Sequence, residues 1–262
     1  MDQKSLRDRI EKADGSLLDE AASLSDSDLA FTASLTPVKI EARELQIDLA
    51  GTSHAKWSRD LLFRMLKDKD GGIRSRAAEG LPGKVIAEDA KRLLAELEAD
   101  QTRSEEDDEF SMFLIRAVGN TGDTKMIEPL MVLQKKENRP QAGHAYRQAL
   151  AKLGFPKETR KLEFTLENGT PKEKGIALRD LRYINRPEWV AKAVPLLMDE
   201  MTARQTSKGD IDFKIRVCDE AITTLGIIDP QKKIPFEVSD VFGVPFHVTK
   251  LAQARRAYGL IK

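Results

Sequence analysis

The chain has 262 residues, with 43 lysines and arginines against 43 aspartates and glutamates, so it is formally neutral. Neutrality excludes a uniformly basic nucleic-acid coat, and 40% hydrophobic residues exclude a globally disordered chain. Charged residues at 33% with aromatics at only 6% point to exposed amphipathic helices rather than strands. Residues 1–35 carry two weak helical stretches separated by Asp14-Gly15-Ser16, read as an N-terminal helical cap. From about Thr36 to Thr224 apolar residues recur at helical spacing: Leu61, Leu62, Met65 and Leu66, then Ala90, Leu93, Leu94 and Leu97, then Ile127, Leu130, Met131 and Leu133. Short breaks at Asp70-Gly71-Gly72, Gly119 to Asp123, Gly154-Phe155-Pro156, Asn168 to Pro171 and Asn185-Arg186-Pro187 imply antiparallel neighbouring helices. Thr170, Pro171 and Glu173 read as an N-cap, a first-turn proline and a capping acid. After Pro230 the pattern changes: Phe236, Phe242 and Phe246 with Pro235 and Pro245 predict an ordered, non-repeating cover, closed by a helix from about Val248 to Tyr258. The expected organisation is a cap over 1–35, a repeat region over 36–230, and a C-terminal segment with a capping helix over 231–262.

The repeat is carried by the ends of alternate helices. An apolar residue stands at Leu49, Leu81, Val118, Leu153, Leu181 and Leu225, spaced roughly 35 residues apart. Four residues before each stands Leu45, Ala77, Leu114, Ala149, Ala177 or Ala221. Glycine follows directly at Gly119, Gly154 and Gly226, where a left-handed cap would favour it. One helix pair cannot bury its own apolar face, whereas a stack can. The predicted fold class is therefore all-α: a right-handed α-solenoid of about six helix pairs with atypical terminal caps.

Ile73-Arg74-Ser75-Arg76-Ala77-Ala78-Glu79-Gly80-Leu81 resembles the first-helix motif of the bacterial HEAT-like repeats of the phycobilisome-lyase type. Arg116 to Asp123 resembles that motif's glycine-containing end, and Met126 to Leu130 and Ala193 to Leu197 resemble its proline-containing second helix. Ser111, Tyr146 and Cys218 depart from the pattern, standing where the family usually has an arginine, and Pro82 stands where glycine is expected. The resemblance covers about residues 36 to 230 and implies HEAT-like pairs whose second helices line a concave surface.

No phosphate-binding, dinucleotide-binding or serine-nucleophile motif is present, and His54, His144 and His247 are scattered without metal-ligand spacing. The lone Cys218 excludes an intramolecular disulfide and reads as a packing thiol. The sequence alone therefore predicts no catalytic residue, no metal, no cofactor and no enzymatic activity, and nothing in it points to a small molecule. Without a long apolar stretch or a signal core, no membrane span and a cytoplasmic setting are expected, or an exported one if a leader precedes Met1.

Charge is segregated along the chain. From Ile86 to Glu109 there are ten acids and three bases; from Gln134 to Lys192 there are fourteen bases and seven acids. The candidate partner-binding residues are Arg160, Lys161, Trp189 and Lys192 in the basic half, and Glu105, Glu106, Asp107 and Asp108 in the acidic run. The first expectation is a scaffold or adaptor that binds a protein through its concave surface or a loop edge. The connections Asp100 to Glu109 and Ala203 to Asp212 are read as loops on one such edge. The alternatives are a nucleic-acid groove like that of HEAT-like DNA glycosylases, resting on the basic tract, Trp189 and Asp180, and a lyase-type HEAT-repeat enzyme.

Overall fold

A computed structural model describes residues 2–100, 108–208, 211–229, 231, 234–236, 238 and 244–262. The described residues form fifteen α-helices, short 3-10 turns and one β-hairpin. They divide into two compact units, residues 1–153 and 154–262. The fold class is all-α, built of stacked helix pairs, as the repeat pattern requires.

The first unit contains α1 (Gln3–Glu11), α2 (Ser16–Glu20), α3 (Asp26–Ser34), α4 (Ile40–Gly51), α5 (Lys56–Met65), α6 (Gly71–Gly80), α7 (Ala90–Asp100), α8 (Asp108–Asn120), α9 (Ile127–Lys136) and α10 (Pro140–Lys152). Helices α4, α6, α8 and α10 pack in succession as one row, while α5 packs on α4 and α6, α7 on α8, and α9 on α10. The positions that mark the repeat form the row's core: Leu49, Leu81 and Val118 are fully buried, and Leu45, Ala77, Leu114 and Ala149 are buried beside them. Leu6, Ile10, Leu17 and Leu29 of α1 to α3 cover the first face of the row at Leu45 and Leu49. Gln46 fixes this junction, its amide donating to the carbonyls of Thr32 at 2.6 Å and Leu35 at 3.1 Å. Ser111 and Tyr146, two departures from the repeat motif, are fully buried.

The second unit contains α11 (Pro156–Asn168), α12 (Pro171–Ile184), α13 (Val190–Ala193), β1 (Thr202–Lys208), β2 (Ile211–Arg216), α14 (Val217–Ile228) and α15 (Val248–Ala257). Helix α12 packs on both α11 and α14, with Leu181 and Leu225 buried. Its start follows the predicted capping box: the Thr170 amide donates to the Glu173 carboxylate at 2.8 Å, and the Glu173 amide donates to the Thr170 hydroxyl at 3.4 Å. Asn185 ends it in the left-handed conformation, φ 46°.

Two sequence expectations are corrected. Residues Ala203 to Asp212, read as a loop, belong largely to an antiparallel hairpin in which Lys208 pairs with Ile211 and Arg204 with Ile215. Thr202 pairs with Arg216, so Ala203 is an extra residue that kinks β1 and turns its methyl group into the core. There it meets Gly175 of α12, where a Cβ would lie 2.8 Å from the Ala203 Cβ. Of the three predicted cap glycines, Gly154 alone takes a positive φ, 85°, while Gly119 and Gly226 lie within α8 and α14. Gly226 instead admits Val238, whose Cβ would come within 2.8 Å of an added methyl group.

Cys218 is fully buried in α14, and its thiol is pushed up to about 11 by burial first and by neighbouring Asp219 second. At pH 8 the native protein is expected to leave a thiol reagent such as dithionitrobenzoate unreacted, and to release one equivalent on unfolding. Rapid labelling of the native protein would contradict that burial. No helix of the described residues is long and apolar enough to cross a membrane.

Candidate functional site

Helix α11 carries the most distinctive exposed side chain of the second unit. The helix starts at Pro156, in the first-turn position where a proline costs no hydrogen bond, with Glu158 in the same turn. Leu166 turns inward and is 2% exposed. Lys157, Arg160, Lys161, Phe164 and Asn168 are exposed at helical spacing along one stripe. Phe164 is 65% exposed, which leaves apolar area in water that burial would reward by about 2–3 kcal/mol. The Arg160 Nε donates to the Pro156 carbonyl at 3.2 Å, which holds its stem against the helix.

The predicted residues divide accordingly. Arg160 and Lys161 stand on the exposed stripe beside Phe164. Lys192 flanks it, but its ammonium is engaged by Glu163 and by Glu167 at 2.7 Å. Glu163 first, then Glu167, raise the Lys192 ammonium above its ordinary value. One ammonium offsets only one of these two acids: Lys157, Arg160, Lys161 and Lys192 stand against Glu158, Glu163 and Glu167, which leaves this face one formal charge positive. Trp189 is 7% exposed and packs inside the unit, so it is not the exposed aromatic expected on this surface; Phe164 is exposed instead. The nucleic-acid reading thereby loses its supporting aromatic. Glu105, Glu106 and Asp107 lie outside the described residues; Asp108 opens α8, and its side chain lies outside them too. Phe164 escaped the sequence reading because a phenylalanine among Leu162 and Leu166 looks like core until the phase of the helix is known.

A second cluster joins residues far apart in the sequence. Glu220 of α14 has its side chain 1% exposed and meets three arginines. Arg179 Nη1 donates to Oε1 at 2.9 Å, Arg204 Nε to the same oxygen at 2.7 Å, and Arg182 Nη2 to Oε2. Arg182 also donates to the Thr224 hydroxyl at 3.3 Å, which passes the chain on to the Leu178 carbonyl at 2.9 Å. Burial works against the ionised Glu220, yet the Arg204 hydrogen bond and the charges of Arg182 and Arg179 outweigh it and hold the carboxyl below its ordinary value. The cluster joins α12, β1 and α14. It was invisible in the sequence because Arg179 and Glu220 are 41 residues apart.

No family model matches the chain. No curated protein matches it either. Seven chains of solved structures do. One belongs to the complex of CpcE and CpcF of phycocyanin lyase from Nostoc sp. PCC7120, with a TM-score of 0.55 and 16% identity over 96% of this chain and 87% of that one. At that identity the likeness is one of fold, and it agrees with the HEAT-like resemblance at that level. It also corrects one expectation. The chain was read as having no enzymatic activity, whereas the solved structure of similar fold is a lyase, which points against that reading. The physical reason is that helix stacks draw their side chains from several helices, so the absence of a contiguous motif says little about chemistry.

Proposed function

We propose that this chain is a HEAT-like protein that works by binding another protein, and that the stripe Lys157, Arg160, Lys161 and Phe164 of α11 is where that partner docks. The carrying observation is Phe164, a large aromatic left 65% exposed among cations. Aromatic and arginine side chains together are the composition of interface hot spots. The partner's complementary surface is acidic around an apolar recess, since Lys157, Arg160 and Lys161 share the exposed stripe with Phe164 while Glu163 and Glu167 are engaged by Lys192. The neighbour of similar fold is itself a complex of two proteins.

The test is capture of a stoichiometric partner from native lysate by the tagged protein, with nuclease present. Phe164→Asp is expected to abolish that capture, and Arg160→Glu with Lys161→Glu to weaken it at least about tenfold. A partner retained equally by both variants would remove α11 from the interface. Material lost on nuclease treatment would replace this reading with the nucleic-acid one.

The fold likeness to a phycocyanin lyase favours one second reading, a lyase-type function exercised together with a partner protein. Adding the chain to phycocyanin and following its absorption spectrum tests it; an unchanged spectrum, with and without the captured partner, rejects it.

A further inference from the structure

The carboxylate of Glu220 has more cations around it than its own charge balances. Among the described residues, one ionised carboxylate meets three guanidiniums. Two acids near it have other partners: Asp199 holds Lys174 at 3.1 Å, and Asp219 holds Arg216 at 2.9 Å and accepts from the Phe246 amide at 3.0 Å. The side chains of Arg179 and Arg204 each make a single hydrogen bond among the described residues, both to the same Glu220 oxygen. A guanidinium carries five N–H donors, so most donors of these two side chains are uncommitted there. The same two side chains are 37% and 33% exposed, against 1% for Glu220. They are thus held from the buried side and open towards solvent.

Such an arrangement is what a pre-organised anion receptor requires. An arginine anchored by a buried carboxylate has already lost its rotamer freedom, so little entropy remains to be lost on binding. Planar guanidiniums present paired donors that match the oxygens of a carboxylate or phosphate. Gly175 contributes by letting β1 approach α12 closely, with an added Cβ only 2.8 Å from the Ala203 Cβ, which sets Arg204 beside Arg179.

We propose that Arg179 and Arg204, backed by Arg182 and Glu220, bind an oxyanion group, a carboxylate or a phosphate, carried by a ligand of this protein. The site is separate from the α11 stripe and does not depend on it. Calorimetric titration of the full chain with pyrophosphate and with citrate, at fixed ionic strength, tests it. Saturable binding of either probe to the wild type is expected, weakened about tenfold or more by Arg179→Gln and by Arg204→Gln. Lys172→Gln, which removes a cation from the exposed start of α12, is expected to leave it unchanged. Binding of pyrophosphate alone identifies a phosphate-bearing ligand, and binding of citrate alone a carboxylate. If a glutamine variant fails to fold, Arg179→Lys keeps the charge and removes the fork, and the same loss is read as a weaker but measurable affinity. Absence of saturable binding to the wild type overturns the proposal, as does equal weakening by Lys172→Gln.

Discussion

Replacing Glu220 by glutamine is expected to destabilise the protein by about 3–5 kcal/mol, the largest loss of any single polar substitution in the second unit. The shape is kept, but three guanidiniums lose the charge that holds them together, and burial denies Arg182 a full return to water. Urea denaturation of the variant and the wild type measures it, and a difference below about 1 kcal/mol would show the cluster to be energetically idle. The effect has a pH signature. The folded carboxyl titrates below its ordinary value of 4.5. Its contribution is therefore complete above pH 4.5 and disappears as pH falls through the folded value. The gap between wild type and Glu220→Gln is expected to stay constant near neutrality and to close in acid. A gap unchanged down to pH 3 would mean that Glu220 is not the group whose ionisation matters.

Two phenylalanines are expected to behave oppositely. Phe63 of α5 is 1% exposed, with the Arg92 guanidinium 4.0 Å from its ring centroid. Phe63→Ala removes a filled volume and a cation–π contact, and should cost about 3–5 kcal/mol. Phe164→Ala removes a ring already mostly in water and should change stability by no more than about 0.5 kcal/mol. Denaturation midpoints of the two variants decide the matter. A loss at Phe164 comparable to that at Phe63 would make Phe164 a packing residue and remove the basis of the docking stripe. Stability retained together with lost capture is the combination expected of an interface residue.

The residues at Leu49, Leu81, Val118, Leu181 and Leu225 announce the stack because a helix that buries one face must repeat apolar residues at its own period. The Thr170 to Glu173 cap was legible for a similar reason, since both of its hydrogen bonds are made within three residues. The hairpin was passed over although Ile211, Phe213 and Ile215 alternate after a Gly209-Asp210 pair. Polar neighbours and a surrounding helical pattern masked that short signal.

The sequence by itself determined the all-α class, the row of alternate helices, the buried Cys218 and the basic character of α11, because each follows from local periodicity, local hydrogen bonding or composition. Only the tertiary structure decided which aromatic is exposed, that Lys192 is engaged by Glu163 and Glu167, and that Arg179, Arg182 and Arg204 converge on Glu220. Those outcomes depend on the phase of one helix against another and on contacts across roughly 15 to 40 residues of chain. Such contacts are set by packing, which no local pattern encodes.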